Sequence, residues 1–141
     1  MKFNSCIISI EMTPQSRRAA IAAAPSAQTA VVTKAVLRAA DRLGLPNRAL
    51  AAVLGLSEAT VSRMGAGSYE LIHDSKPFEL AILFVRLFRS LDAIVGGDAE
   101  VARQWLQNEN TELGATPVSL IRSVSGLVNV VAYLDARRAL I

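Results

Sequence analysis

The sequence predicts an all-α protein, a helix-turn-helix unit followed by a second small helical unit, and three observations predict it. Apolar residues recur at helical spacing in each patterned stretch, and valine and isoleucine fall inside those periods rather than in alternating runs. Glycine and proline punctuate the chain at intervals that suit short helices. The apolar share of 52% and mean hydropathy of +0.35 exclude a mostly disordered chain. Much of that share is alanine, which favours helix but brings little area, so stability beyond one modest core is expected to come from association.

Residues 1–29 mix Ser, Thr, Pro, Gln and Ala without a sustained period and read as a flexible arm, with a short helix at Gln15–Ala24 ahead of Pro25. Met12 offers an alternative start. The first firm helix is expected over Thr33–Leu43, capped by Thr33, with Val36, Leu37, Ala40 and Leu43 on one stripe and Gly44 ending it. A second spans Asn47–Leu54, and a third runs from Glu58 to Met64 behind a Ser57 cap. The longest, Pro77–Val95, carries Leu80, Leu83, Phe84, Leu87, Phe88 and Leu91, a stripe wide enough to leave a dimer or interdomain face. Asp98 caps the next helix, through Gln107; Thr116-Pro117 opens a short one to Arg122, and Ser125 starts the last, through Arg138.

The stretch NRALAAVLGLSEATVSRM, Asn47–Met64, is the most informative local pattern. Two short helices are separated by Gly55-Leu56-Ser57, with small Ala51 where the helices cross, Leu56 plugging the turn and Val61 facing inward. That leaves Glu58, Ala59, Ser62 and Arg63 outside. On a helix entering the major groove, Arg63 suits a phosphate or a guanine edge, and Ser62 either kind of group. Glu58 suits cytosine N4 or simply the positive end of its own helix, and the Ser57 amide suits a phosphate. The charge distribution agrees. Residues 30–67 hold five basic side chains (Lys34, Arg38, Arg42, Arg48, Arg63) against Asp41 and Glu58, whereas residues 68–141 hold seven basic and nine acidic ones.

Other function classes have little support. One cysteine, Cys6, excludes an internal disulfide and fits a reducing cytosol. The basic, then alanine-rich Arg17–Pro25 lacks the apolar stretch of an export signal, and Phe78–Val95 is interrupted by Glu79, Arg86, Arg89 and Asp92. The single histidine, His73, has Asp74 beside it but no nucleophile paired by motif, and Gly65-Ala66-Gly67 follows a helix rather than a strand. A non-catalytic, cytoplasmic protein without cofactor or metal is expected.

The Asn47–Met64 stretch resembles the helix-turn-helix of phage-repressor-like (Xre-type) regulators. The stretch DAEVARQWLQNENTELGATPVSLIRSVSGLVNVVAYL resembles the C-terminal domain of the MbcA/ParS/Xre antitoxin family. Trp105-Leu106, Asn110, Leu113-Gly114, Thr116-Pro117, Leu120, Ser123, Gly126, Val130 and Leu134 carry that likeness, while Glu109 and Ala115 replace the family's common Pro and Gly. The resemblance implies an Xre-like domain at residues 30–97 and a toxin-binding domain at 98–141. It implies a RES-domain toxin as partner, similar to ADP-ribosylating enzymes and consuming NAD, together with repression of the shared operon. Because one small helix-turn-helix reads few bases, a homodimer on a palindromic operator, or a larger complex with toxin, is expected. The NAD chemistry would belong to the toxin. A free-standing regulator with no toxin is the alternative.

Within the second unit, Trp105 is expected to anchor a small core, Asn110 to bond its own turn, and Gly114 to take a left-handed conformation. Thr116, Pro117 and Gly126 are expected to shape the last two helices. Toxin contact is expected at the end of the chain, through Tyr133, Arg137, Arg138, Leu140 and Ile141: the arginines and terminal carboxylate for charged groups in a dinucleotide pocket, the last two side chains for apolar area.

Overall fold

The computed structural model describes residues 26–140. Among these residues seven helices follow in chain order: α1 at 26–42, α2 at Asn47–Leu54, α3 at Glu58–Gly65, α4 at Lys76–Ile94, α5 at Ala99–Gln107, α6 at Pro117–Leu120 and α7 at Val124–Arg138. The one β feature in that range is an isolated bridge between Asn110 and Ala115. The helix expected at Gln15–Ala24, and most of the expected arm, lie outside the described residues.

The start of α1 differs from the sequence expectation. Residues 26–32 are already helical, so Thr33 lies in the helix interior and is not a cap. Its buried hydroxyl donates to the Thr29 carbonyl at 2.6 Å, one turn back, and accepts the Leu71 backbone N–H at 3.1 Å. A threonine suits both jobs, because a buried loop amide without a partner costs about 1–3 kcal/mol. The sequence signal for a cap was the hydroxyl itself, and here it serves a chain segment 38 residues away.

Elsewhere the caps follow from local chemistry. Ser57 Oγ accepts from Thr60 N at 3.1 Å, Ser75 Oγ from Phe78 N at 3.3 Å, and Asp98 Oδ1 from the amides of Glu100 and Val101. The last helix is capped by Ser123, through Gly126 N at 3.1 Å, two residues earlier than Ser125. Thr116 holds the cap position of α6, but its hydroxyl donates to Ser119 Oγ at 2.9 Å rather than accepting from the helix.

One continuous core runs through the described chain. Leu50, Val53 and Leu54 of α2 and Val61 and Met64 of α3 meet Val36, Ala39, Ala40 and Leu43 of α1. Phe84, Leu87 and Leu91 of α4 join them to Leu127, Val130, Val131 and Leu134 of α7. Among α2 to α7 the most extensive pair is α4 with α7, and α4 also packs on α2. The wide stripe on α4 is therefore consumed within the chain: Leu80, Leu83 and Phe88 are half-buried against the core. The apolar surface left beside α4 includes Val31 at 65% exposure and Ile82 at 45%.

Gly126 fixes how α7 meets α6. A Cβ there would overlap the Leu120 backbone carbonyl. An alanine in a helix normally gains up to about 1 kcal/mol over glycine, so the sign of the effect is diagnostic. Gly126→Ala is expected to destabilise the fold by about 3 kcal/mol, because backbone must move to admit the methyl, and thermal or denaturant unfolding reads it.

Candidate DNA-reading and partner-binding faces

The helix-turn-helix is built by a left-handed turn at Gly55 (φ 69°), where Leu56 N donates to Ala51 O at 3.0 Å. That turn sets buried Ala51 against α3 and leaves Leu56 half-buried. On α3 the apolar side is Val61 and Met64, both buried, so Glu58, Ala59, Ser62 and Arg63 face solvent. Glu58 lies in the first turn of α3, where its charge complements the helix end.

The sequence reading missed Thr60. Ser57, Thr60 and Arg63 stand three residues apart and share one edge of α3. Thr60 Oγ1 lies 2.8 Å from Ser57 Oγ and accepts from Arg63 Nη2 at 3.0 Å. Arg63 is thus held along its own helix, its guanidinium placed by a neutral partner that can be exchanged for a stronger, charged acceptor. The spacing i, i+3, i+6 was legible; the bond was not, because Thr60 is equally suited to a plain helix surface.

In the second unit Asn110 Oδ1 accepts the amides of Glu112 and Leu113 at 3.0 and 3.1 Å. Its backbone pairs with Ala115 O and Gly114 N, with Gly114 at φ 82°. This tight turn presents Glu112 to α7, where it pairs with Arg137. Arg137 lies 4.9 Å above the Tyr133 ring, and Tyr133 stacks on Trp105 with centroids 6.2 Å apart and planes inclined by 21°. The hydrogen bond and charge of Glu112 raise the Arg137 pKa above its ordinary value, so the guanidinium stays charged. Trp105 packs against the core half-buried, beside the fully buried Ala102 and Leu106 of the same helix. Trp105, Tyr133, Arg137 and Glu112 form one amphipathic row across three chain segments.

Arg138 leaves that row. Adjacent residues on a helix diverge by about 100°, and Arg138 lines a groove of about 400 Å³ with Arg86, Arg89, Val31 and Ile82 between α1 and α4. Leu140 follows α7 and is 84% exposed. Ile141 lies outside the described residues. His73 bonds Gln28 and Asp74 and packs on Phe78, its ring 5.2 Å from the Phe78 ring. Among the described residues no group of three or more His, Cys, Asp or Glu is placed to hold a metal ion, and no helix is long and apolar enough to cross a membrane.

Comparison with protein families finds two matches. Residues 22–86 match the antitoxin Xre-like helix-turn-helix domain. Residues 90–139 match the antitoxin Xre/MbcA/ParS C-terminal toxin-binding domain. The chain belongs to the Xre-type antitoxin family. Both matched regions meet within α4, between residues 86 and 90, so in this Xre-type antitoxin the long helix serves both units. The DNA-reading helix-turn-helix and the toxin-binding architecture are accordingly both present. No curated protein matches the chain.

Proposed function

We propose that this chain neutralises a cognate RES-domain, NAD-consuming toxin in the cytoplasm and represses its own operon through α3. The observation that carries the reading is the pairing of two domains in one core: an α3 with a solvent-facing Glu58, Ala59, Ser62 and Arg63 edge, and a toxin-binding domain with its own half-buried aromatic row. The RES class comes from the family resemblance; any catalysis would reside in the toxin.

On the DNA side, Arg63 leaves Thr60 for a guanine edge or a phosphate, Ser62 flanks it, and the Ser57 amide and Glu58 meet the backbone or a cytosine amine at the start of α3. A single α3 reads few base pairs, so two chains are expected on a palindromic operator. On the toxin side, Tyr133, Arg137, the exposed Leu140 and the terminal Ile141 form the contact, with Trp105 behind them. Tyrosine, tryptophan and arginine are the side chains that most often carry interface energy. A toxin that also reaches Arg138 must wrap the end of α7.

Arg63→Ala is expected to weaken operator binding while circular dichroism and melting stay unchanged; equal loss on all sequences assigns a phosphate, selective loss a base. Unchanged binding to the native promoter moves recognition elsewhere. Light scattering at tens of micromolar is expected to show a dimer or a larger species, and monomer alone with and without toxin contradicts the paired operator complex. Because α7 covers α4, truncation from Asp98 would expose core, so point variants are the cleaner test of the toxin face. Tyr133→Ala and Arg137→Ala are expected to lower protection against co-expressed toxin by tenfold or more, about 1.4 kcal/mol or above. Toxin binding should also shift the emission of Trp105, the single tryptophan. Full protection by both variants and a silent Trp105 place the contact on another face.

A further inference from the structure

A further concavity on the described chain lies on neither face. It is a cleft of about 450 Å³ between α2 and α6, and arginines from both domains line it: Arg48 from the first turn of α2 and Arg122 just past α6. Its floor is Ala49, Ala52, Val53, Val118 and Ile121, small or apolar side chains that leave the hollow and keep its walls weakly polarisable. Both arginines are exposed, and among the described residues neither has a carboxylate within ion-pair distance. That separates them from Arg86, Arg103 and Arg137, which are paired with Asp135, Glu100 and Glu112. The Ser119 hydroxyl is already engaged with Thr116, donating to its carbonyl and accepting from its hydroxyl.

Two cations on an apolar concave wall focus positive potential, and a dispersed anion with several oxygens satisfies two guanidinium forks at once. A phosphodiester fits that description. The location favours one source. In a helix-turn-helix the second helix enters the major groove while the first crosses the backbone, and Arg48 sits at the start of that first helix. We propose that Arg48 and Arg122 clamp a backbone phosphate of the DNA duplex, so that the toxin-binding domain itself contributes to DNA affinity. The inference rests on the DNA-reading role of α3 only for its orientation. Arg122 belongs to the matched toxin-binding region, residues 90–139, and gains a function there that toxin recognition does not supply.

The test compares the full chain with Arg122→Ala, Arg122→Glu and Arg63→Ala, titrating the native promoter duplex and a scrambled duplex at several salt concentrations. Each phosphate contact contributes about 0.9 to the slope of log K against log salt, and about fivefold in affinity at 150 mM salt. Arg122→Ala is expected to lose that slope and about fivefold affinity per chain on both duplexes, and Arg122→Glu more, with melting temperatures unchanged. If Arg63→Ala weakens promoter binding while both Arg122 variants keep affinity and slope, the clamp is wrong and the α3 reading stands. If the intact chain shows no promoter preference yet Arg122→Ala still flattens the slope on scrambled DNA, the clamp survives and the operator reading fails. Inorganic phosphate that raises the melting temperature of the intact chain but not of Arg122→Ala, with duplex binding identical, marks a small-anion site and overturns the proposal. So does a loss of toxin affinity in Arg122→Ala with DNA binding intact, which marks a protein contact instead.

Discussion

The packing of α7 against α4 is the contact on which the rest of the molecule depends. Nineteen residues make α4 about 28 Å long, and it carries α2 on one side and α7 on another. Both units therefore share a single beam. The contact is mainly apolar, through Phe84, Leu87 and Leu91 against Leu127, Val130, Val131 and Leu134. It also holds a polar tie: fully buried Ser90 donates to Asp135 Oδ1 at 2.7 Å, and Arg86 pairs with the other oxygen at 2.6 Å. A hydroxyl with no partner in that position would cost more than the bond contributes when made. The tie thus penalises any sliding of α7 along α4 that separates Ser90 from Asp135, which an apolar interface alone would tolerate better.

The second unit grips the first at another point. Arg103 of α5 donates to the Arg42 carbonyl at 3.0 Å, meeting an otherwise unpaired group at the end of α1, and its stem lies beside Gly44. Arg42 in turn reaches the Gly97 carbonyl at 3.4 Å. Two arginines that sequence charge counting assigns to opposite halves are spent here on helix ends. Net charge by segment therefore overstates the cations available to DNA. Arg48, Arg63 and Arg122 matter more than the total because no acid pairs with them in the described chain.

The helices were legible where one local rule governs them. Gly55 and Ser57 bound the turn of the helix-turn-helix, Asp98 caps α5, and the 3.6-residue period marks the inward side of α7. Thr33 misled because a hydroxyl ahead of an apolar stripe looks the same as a cap or as a buried acceptor, and only the arrival of Leu71 distinguishes them. Trp105 packs against the core yet stays half-buried. A large aromatic reads as core, yet its neighbour across α7 is Tyr133, and stacking two amphipathic rings leaves both half in water. Arg137 and Arg138 are adjacent in sequence and look like one basic end; helix geometry sends one to the Tyr133 row and the other to the groove between α1 and α4. The Arg48–Arg122 cleft had no sequence signal, since it depends on where four residues of α6 come to rest.

That resting place is set by very few atoms. Thr116 and Pro117 start α6, and at its far end the Leu120 carbonyl abuts Gly126 of α7 so closely that no side chain fits between. Arg122 lies between those two points, on the segment that joins α6 to α7. Tyr133 and Arg137 lie on the same α7, two to three turns further on. A shift of α7 along its axis would have to break the Gly126–Leu120 contact as well as the Ser90–Asp135 tie. A tightly packed contact transmits such a displacement rather than absorbing it. α6 is too short to be held by its own hydrogen bonds, so where Arg122 sits depends on what α6 touches.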